Sequence, residues 1–418
     1  MLNVLAPNHL LSGGDVGNTK GKFSVLDNDG KIFDFEIGSV IAPAQTQKQD
    51  VDGVDDTKKH LIAIEKRLHV HIKSDSLGNQ YKSSYWYVGD YAKFQPYDSQ
   101  LQPGDDKGKS EDKNTSLIYK VLLLTGEAVA AVLAKKDLTQ EVIAPLSIGL
   151  PIKEMKDTGG KTLVASLKGK HEITFLDGPN EGTTVKLNIT KVKVNVEGIT
   201  STLALEYTIE EGKLKETPLA SELGENFILF DGGAGTFDES FFDENGLNAH
   251  KSDSKAIGTN QYVINMLNEI EEVDKVKQAI ERTNTKPFAN REEFMNDVVK
   301  PVMNEILAKN GKEEITPSFI FDWGRVKGID VTDIVLKYME QYAEAVLKEI
   351  DVRWQDTKAK KAAFVGGGLL FGWLTFKDEE GILYPKDLRS SVAITSRSYL
   401  IANYLIHLQE SEVAVSQE

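Results

Sequence analysis

The apolar and polar positions divide the chain into strand-rich and helical stretches. Apolar and polar side chains alternate in GKFSVLD and KIFDFEI within residues 11–41, the period of half-buried strands. This predicts a strand, a glycine turn, a second strand, a hairpin turn at DNDG and a third strand. Further strands are predicted at 61–73, 84–89 and 141–151, and through 162–176 and 184–196. ENFILF pairs with the TFDESFFD run, and KAAFVGG at 361–367 is another strand. Helical spacing marks 115–133, 259–282 and 391–409, with a shorter helix at 198–210 and another, with loops, inside 283–318. The run VTDIVLKYMEQYAEAVLKEID at 331–351 is the clearest helix. Two polar stretches, 43–58 and 94–114, read as exposed loops. Such an alternation of hairpins and helix–strand units predicts an α/β fold of mixed sheets covered by helices. One coarse symmetry stands out. Glycine–aspartate turns open a strand-rich block near residue 15 and another near residue 231, as two similar half-molecules facing each other would.

Composition narrows the picture. A chain of 418 residues buries a large core and ordinarily forms more than one domain. Its 27% charged and 40% hydrophobic residues match an ordinary soluble globular protein. No apolar run reaches the roughly 20 residues of a membrane span. The start, MLNVLAPNHLLSGG, lacks the basic region and long apolar stretch of a signal peptide. With no cysteine there is no disulfide framework, thiolate chemistry or cysteine metal site, which fits a reducing cytoplasm. A net charge of -15 repels a phosphate backbone and argues against direct nucleic-acid binding. KAKKAAF at 358–364 reads as a solvated helix end entering a strand. His69 and His71 in LHVHIKS stand two apart, on one side of a strand. Lacking a third ligand, they read as surface-strand histidines rather than a zinc pair.

Three segments carry candidate chemistry: LSGGDVGNTKGKFSV at 11–25, DGGAGTFD at 231–238 and KAAFVGGGLLFGW at 361–373. A nucleotide's phosphates need backbone N–H groups at close range, and glycine leaves that approach open. A turn after a buried strand is rigidly placed, which suits a binding site. Asp15 and Asp231 fall at the exits of such strands and meet phosphate favourably only through a cation, for which Mg2+ is the fit. Lys20 offers a positive charge to phosphate oxygens, and Asn18 and Thr19 add polar groups at the same turn. Taken singly, each segment reads equally well as a tight turn. Neither GGDVGNTK nor DGGAGTFD has P-loop spacing, and neither is followed at once by the helix of a dinucleotide fingerprint. Both run into another apolar strand, giving a strand–turn–strand phosphate clamp. In the third segment the glycines let a flat ring lie against backbone.

In this order and spacing, the three segments resemble the actin-like ATPase superfamily, which includes Hsp70-type chaperones and sugar kinases. GGDVGNTKGKF at 13–23 looks like its first phosphate loop, ILFDGGAGTFDES at 228–240 like the second, and FVGGGLLFG at 364–372 like the adenosine motif. Within it, the chain looks most like the ParM-like plasmid-segregation actins. SYWYVGDYA at 84–92, IAPLSIGLPIKE at 143–154, KVKVNVEGITSTLALE at 191–206 and SRSYLIANY at 396–404 each resemble family elements. The resemblance covers nearly the whole chain. Segments near 43–60, 94–114 and 270–320 have no counterpart, and Val196 stands where the family usually has proline.

The resemblance implies an actin-like, ribonuclease H-like fold of two related domains around a nucleotide cleft. Domain I is expected at 1–198 and 385–418, and domain II at 199–384. Asp15 and Asp231 would organise Mg2+, and Lys20 would balance β/γ-phosphate charge. Phosphate oxygens would meet the turns at Gly17, Asn18 and Thr19 and at Gly232, Gly233, Ala234, Gly235 and Thr236. Glu197 would orient the attacking water. Gly258 is expected near the nucleoside, with Thr259 as a helix N-cap. Gly366 and Gly367 would pack on adenine or ribose, with Gly368 serving the turn and Asp238 structural. The implied activity is ATP hydrolysis, with GTP as the alternative nucleotide. It would drive head-to-tail filaments in the cytoplasm, whose ends a small DNA-binding adaptor captures for plasmid segregation. The filament itself would touch neither DNA nor membrane. Rival expectations are a filament that positions other host or phage cargo, and a small-molecule kinase of the same superfamily. A chaperone would need a substrate-binding domain beyond residue 418.

Overall fold

A computed structural model describes residues 8–17, 19–45, 56–96, 99–103, 113–150, 154–155, 157, 159–196, 200–308 and 315–415. It divides into two compact units, Met1–Thr217 with Thr395–Glu418, and Pro218–Ile394.

Among the described residues the first unit holds thirteen strands in three sheets: β1 Leu11–Val16, β2 Lys20–Leu26, β3 Ile32–Gly38, β4 Ile41–Pro43, β5 Leu68–Lys73, β6 Ser83–Val88, β7 Glu141–Ile143, β8 Leu146–Leu150, β9 Gly169–Phe175, β10 Thr184–Ile189, β11 Val192–Val196, β12 Tyr207–Glu210 and β13 Lys213–Glu216. One sheet runs β11-β8-β1-β2-β3, a second β4-β6-β5-β9-β10-β7, and β12 pairs with β13. β1 and β2 form an antiparallel hairpin, while β8 runs parallel to β1, and β11 parallel to β8. The helix Leu117–Leu133 is buried over most of its length, which explains its almost uniformly apolar sequence. Ser116 caps it, its hydroxyl accepting from the Tyr119 N–H at 3.1 Å. Across β1, the C-terminal helix Ile394–Val415 packs so closely that a Cβ on Gly13 would overlap the backbone of Ser396 and Leu400.

The second unit is built on β14 Phe227–Gly232, β15 Phe237–Asp243, β16 Gly246–Leu247, β17 Asp253–Lys255, β20 Lys361–Val365 and β21 Ile382–Leu383. A separate two-stranded hairpin joins β18 Ile320–Trp323 to β19 Val326–Asp330. The main sheet runs β16-β15-β14-β20-β21, with β17 on β15. This repeats the five-stranded sheet of the first unit. In both, a hairpin's first strand is extended by two parallel strands, and its second strand by an antiparallel one. The long helix Thr332–Thr357 buries Val335, Met339, Tyr342, Ala343, Val346 and Ile350, a stripe at helical spacing.

Several elements differ from the sequence reading. Residues Lys161–Leu167 are a helix, not the start of a strand; only Leu163 and Leu167, one turn apart, are buried. The strand begins at Gly169. The expected helix at 198–210 is a single turn, Thr202–Glu206, running directly into β12. The expected helix at 259–282 is two, Thr259–Glu271 and Asp274–Thr283, separated where Val273 is extended. A π-helical turn, Met295–Val299, precedes Lys300–Ala308. Pro301 has no N–H for the carbonyl four residues back, which accounts for the widened turn. The segment 200–217 folds with the first unit, past the boundary drawn at residue 198. There the Ala204 N–H donates to Ser398 Oγ at 3.0 Å, and Ser398 Oγ to the Ser201 carbonyl at 3.1 Å. Among the described residues no helix is long and apolar enough to cross a membrane.

Candidate functional site

The first glycine turn joins β1 to β2. Asp15 is the fifth of six residues in β1, half-buried, opposite Lys22. The Gly17 N–H closes the turn on the Lys20 carbonyl at 3.0 Å. Ser39, just past β3, fixes the turn from the side. Its hydroxyl donates to the Gly17 carbonyl at 2.6 Å and its N–H to the Thr19 carbonyl at 2.9 Å. The Lys20 ammonium pairs with the Glu36 carboxylate of β3. β1, β8 and β11 are parallel, so their carboxyl ends share one edge of the sheet. The chain therefore leaves Val196 at the edge that carries the first turn. Asn18 and Glu197 lie outside the described residues.

The second glycine turn joins β14 to β15 and repeats the first. Asp231 is again the fifth of six strand residues and half-buried. The Gly233 N–H closes on the Thr236 carbonyl at 2.8 Å, the same step from the aspartate as Gly17 to Lys20. The start of the helix Thr259–Glu271 rests on this turn. The Asn260 N–H donates to the Ala234 carbonyl at 2.9 Å and the Thr259 N–H to Gly233 at 3.3 Å. Gly258, not Thr259, is the N-cap, and a Cβ there would overlap the Ala234 backbone. Asp238 is taken up within the hairpin. It accepts from Thr236 Oγ1 at 3.1 Å and from Ser254 Oγ of β17.

The third segment meets the second because β20 lies parallel to β14, with Val365 beside Asp231. Gly366 follows at φ 94° and ψ 177°, a conformation that only glycine adopts readily. A Cβ on it would overlap Asp231 Oδ1. Its N–H donates to Ser391 Oγ at 2.8 Å. Gly367 is in open surroundings, where an added Cβ would come no closer than 3.9 Å to Val392. Gly368 does more than serve the turn, because a Cβ there would overlap the Tyr342 hydroxyl and come within 3.0 Å of the Gly232 carbonyl oxygen. The second unit thus gathers Asp231, Gly232, Gly233, Ala234, Gly235, Thr236, Gly258, Gly366 and Gly367 around two adjacent strand ends. The first unit places Asp15, Gly17, Thr19 and Lys20 around one turn.

Sequence reasoning missed Ser39, Glu36, Ser391 and Tyr342. None belongs to a glycine segment; only the place of Tyr342 in the buried helical stripe gave a signal. Burial, then Tyr262 and Asp231, push the Tyr342 phenol above its usual range. Beneath β1, Glu127 is fully buried and accepts from Ser12 Oγ at 2.6 Å. Burial pushes its carboxyl up to about 7, against the smaller opposing effect of the Ser12 hydrogen bond. The carboxylates of Asp15 and Asp231 are hard oxygen donors at strand ends, the ligand type that suits Mg2+. The two β5 histidines differ in their surroundings. His69 is buried against Tyr87, at 4.6 Å between rings, and is not the surface residue expected. His71 stacks on Tyr85 and hydrogen-bonds Ser83. Among the described residues no three His, Asp or Glu side chains gather as a metal centre.

Comparison with known proteins follows from this geometry. A family model described as the N-terminal domain of actin-like proteins matches residues 13–199. The structure of Bacillus thuringiensis ParM in apo form is 37% identical, covering 96% of this chain and 98% of its own, with a TM-score of 0.71. The structure of the same protein with ATP is 35% identical over 96% of this chain and 100% of its own, with a TM-score of 0.75. The actin-like protein Alp7A, 14% identical over 98% of this chain and 100% of its own, shares the fold at a TM-score of 0.69. Among curated proteins none matches significantly.

Proposed function

The chain belongs to the ParM family of actin-like proteins, and on that premise we propose that it binds and hydrolyses ATP and cycles between subunits and filaments that segregate plasmid DNA. The observation that carries this reading is 35% identity over 96% of the chain to a Bacillus thuringiensis ParM whose structure holds ATP, with both glycine–aspartate turns formed. In the first turn, which the Gly17 N–H closes on the Lys20 carbonyl, the N–H groups of Asn18 and Thr19 would hold phosphate oxygens. Ala234 and Gly235 would do the same in the second, between the Gly233 and Thr236 that close it. Lys20, paired with Glu36 in this structure, would turn its ammonium to phosphate oxygens and keep its charge. Gly258, Gly366 and Gly367 keep the ground beside the second turn low enough for the nucleoside. Asp15 and Asp231 would each offer a carboxylate oxygen to Mg2+, which would neutralise phosphate charge. Glu197 orients the attacking water.

Hydrolysis in such a protein changes the subunit contact, so nucleotide state and polymer stability are linked. Head-to-tail contacts that do not close on themselves give open filaments. In the cytoplasm, a small DNA-binding adaptor captures the filament end. That division of labour suits a chain of net charge -15, which has little affinity for DNA itself.

Light scattering and electron microscopy with Mg-ATP, Mg-GTP, ADP and no nucleotide test the reading. Filaments should form with triphosphate and disassemble as phosphate is released, and the two triphosphates together show which nucleotide drives the cycle. Absence of filaments in every state sinks the polymer reading. Unchanged turnover in Glu197→Ala removes Glu197 from the site.

A further inference from the structure

Tyr342, on the helix Thr332–Thr357, is fully buried, and the rings of Tyr262, Phe371 and Phe376 meet its ring edge-on. Their centroids lie 5.4, 5.4 and 6.3 Å away. A phenylalanine would fill that place equally well. The hydroxyl is what sets this side chain apart, and it has no hydrogen-bond partner among the described residues. A buried hydroxyl left without a partner costs stability that a phenylalanine would spare. Burial, then Tyr262 and Asp231, hold the phenol above its usual range, so it stays a hydrogen-bond donor.

Two glycines of the second unit give that hydroxyl its room. A Cβ on Gly368 would overlap Tyr342 Oη, and one on Gly232 would come within 2.9 Å of it. The same point on Gly368 lies 3.0 Å from the Gly232 carbonyl oxygen, so hydroxyl and carbonyl are close neighbours. That carbonyl belongs to the Gly232–Gly233 peptide, whose N–H closes the second turn on the Thr236 carbonyl at 2.8 Å. A donor on the carbonyl end of a peptide polarises it and strengthens the bond that its N–H makes. The neighbours of the ring belong to the same segments. Tyr262 is on the helix whose first N–H groups hold the Gly233 and Ala234 carbonyls, and Phe371 ends the helix Gly367–Phe371.

We propose that Tyr342 is a positioning residue of the nucleotide site: when a phosphate group occupies the second turn, its hydroxyl donates to the Gly232 carbonyl and holds the turn closed. This rests on the nucleotide reading. A phosphate on the Ala234 and Gly235 N–H groups draws the adjoining peptides toward it. The tilt that brings the Gly232 carbonyl onto the hydroxyl is small, because the two groups already adjoin. The unmade bond is thus made on binding, and its free energy appears as nucleotide affinity.

Calorimetry with Mg-ADP, urea denaturation, and NMR of the full chain labelled with 13C at tyrosine Cζ test it on the wild type and Tyr342→Phe. Tyr342→Phe should bind ADP about three- to tenfold more weakly, the worth of one hydrogen bond. Without nucleotide its urea midpoint should not fall, since the hydroxyl it loses has no partner there. In the wild type, the Cζ resonance that Tyr342→Phe lacks should move as ADP binds, and its hydroxyl proton should exchange with solvent more slowly. If the wild type binds no ADP, the nucleotide reading and this proposal fall together. With ADP bound, the proposal alone is overturned by unchanged affinity in Tyr342→Phe, or by hydroxyl exchange that ADP does not slow. A variant that loses as much stability without nucleotide as it loses in ADP binding makes Tyr342 structural, which overturns it too.

Discussion

Glu127 gives this fold a pH dependence that one substitution should remove. It lies on the helix Leu117–Leu133, fully buried, with Oε2 accepting from Ser12 and Oε1 unpartnered among the described residues. Its carboxyl is held up to about 7 against an ordinary value of 4.5. The folded state therefore keeps a proton that the unfolded chain releases between these values. Stability is full below pH 4.5 and is lost as pH rises through 7. The gap corresponds to about 3.4 kcal/mol at full ionisation. Because the unfolded carboxyl is already largely ionised at pH 5, about 2.5 kcal/mol of that falls between pH 5 and pH 8.

Glu127→Gln keeps the shape and an acceptor for Ser12 but does not titrate. Its amide N–H group adds a buried donor that costs about 1–3 kcal/mol, equally at every pH. Urea denaturation of both proteins without nucleotide, from pH 5 to pH 8, isolates the effect as a difference. Glu239, also held near 7, titrates in both proteins and cancels. The variant should gain on the wild type by about 2.5 kcal/mol across the range. A difference between the two proteins that stays constant with pH, to within about 0.5 kcal/mol, would refute the argument.

Three further outcomes follow from the two turns. Gly366→Ala should destabilise the protein by about 1–3 kcal/mol through its backbone conformation alone, and the overlap with Asp231 should weaken ADP binding in calorimetry; unaltered affinity would separate this glycine from the site. Tyr342→Phe deletes a buried hydroxyl that has no partner among the described residues, so denaturation should show a change under about 1 kcal/mol, or a gain; a clearly larger loss would reveal a hydrogen bond there. Glu36→Gln loosens the grip on Lys20 at a partly exposed ion pair and should tighten ADP binding by up to about fivefold; weaker binding would mean that Glu36 holds Lys20 in place for phosphate.

The sequence made legible whatever repeats at short range. The β1–β2 and β14–β15 hairpins show period-two alternation interrupted by glycine, and the helix Thr332–Thr357 shows its buried stripe. Lys161–Leu167 was misread because seven residues span barely two turns, too few to separate helix from strand by period. The hairpin β18–β19 was missed for a related reason: its strands are short, mostly exposed and offset by a bulge. Within the site, the glycines and aspartates were legible and their supports were not. Glu36 reaches Lys20, and Ser39 reaches Gly17, across strand pairings that a linear reading does not supply. Gly366 meets Asp231 only because β20 lies beside β14, with most of the second unit between them in the chain.

The repeated sheet explains why two aspartates were readable as equivalent, and it shows where the halves part. Each stands fifth of six in the first strand of its hairpin, and each is followed by a turn closed from the second residue after it to the fifth. At that fifth position the first turn carries Lys20 and the second Thr236. At the seventh, Lys22 stands against Asp238. The backbone device is duplicated, but its charge is not. The first turn carries side-chain cations, while in the second Asp238 is spent on Thr236 and Ser254, so on the proposed nucleotide reading phosphate would meet only backbone N–H groups there. Exchanging Lys20 for threonine would make the two turns alike in chemistry as well as in shape. If cation and backbone contribute separately, that exchange should weaken nucleotide binding without disturbing either hairpin.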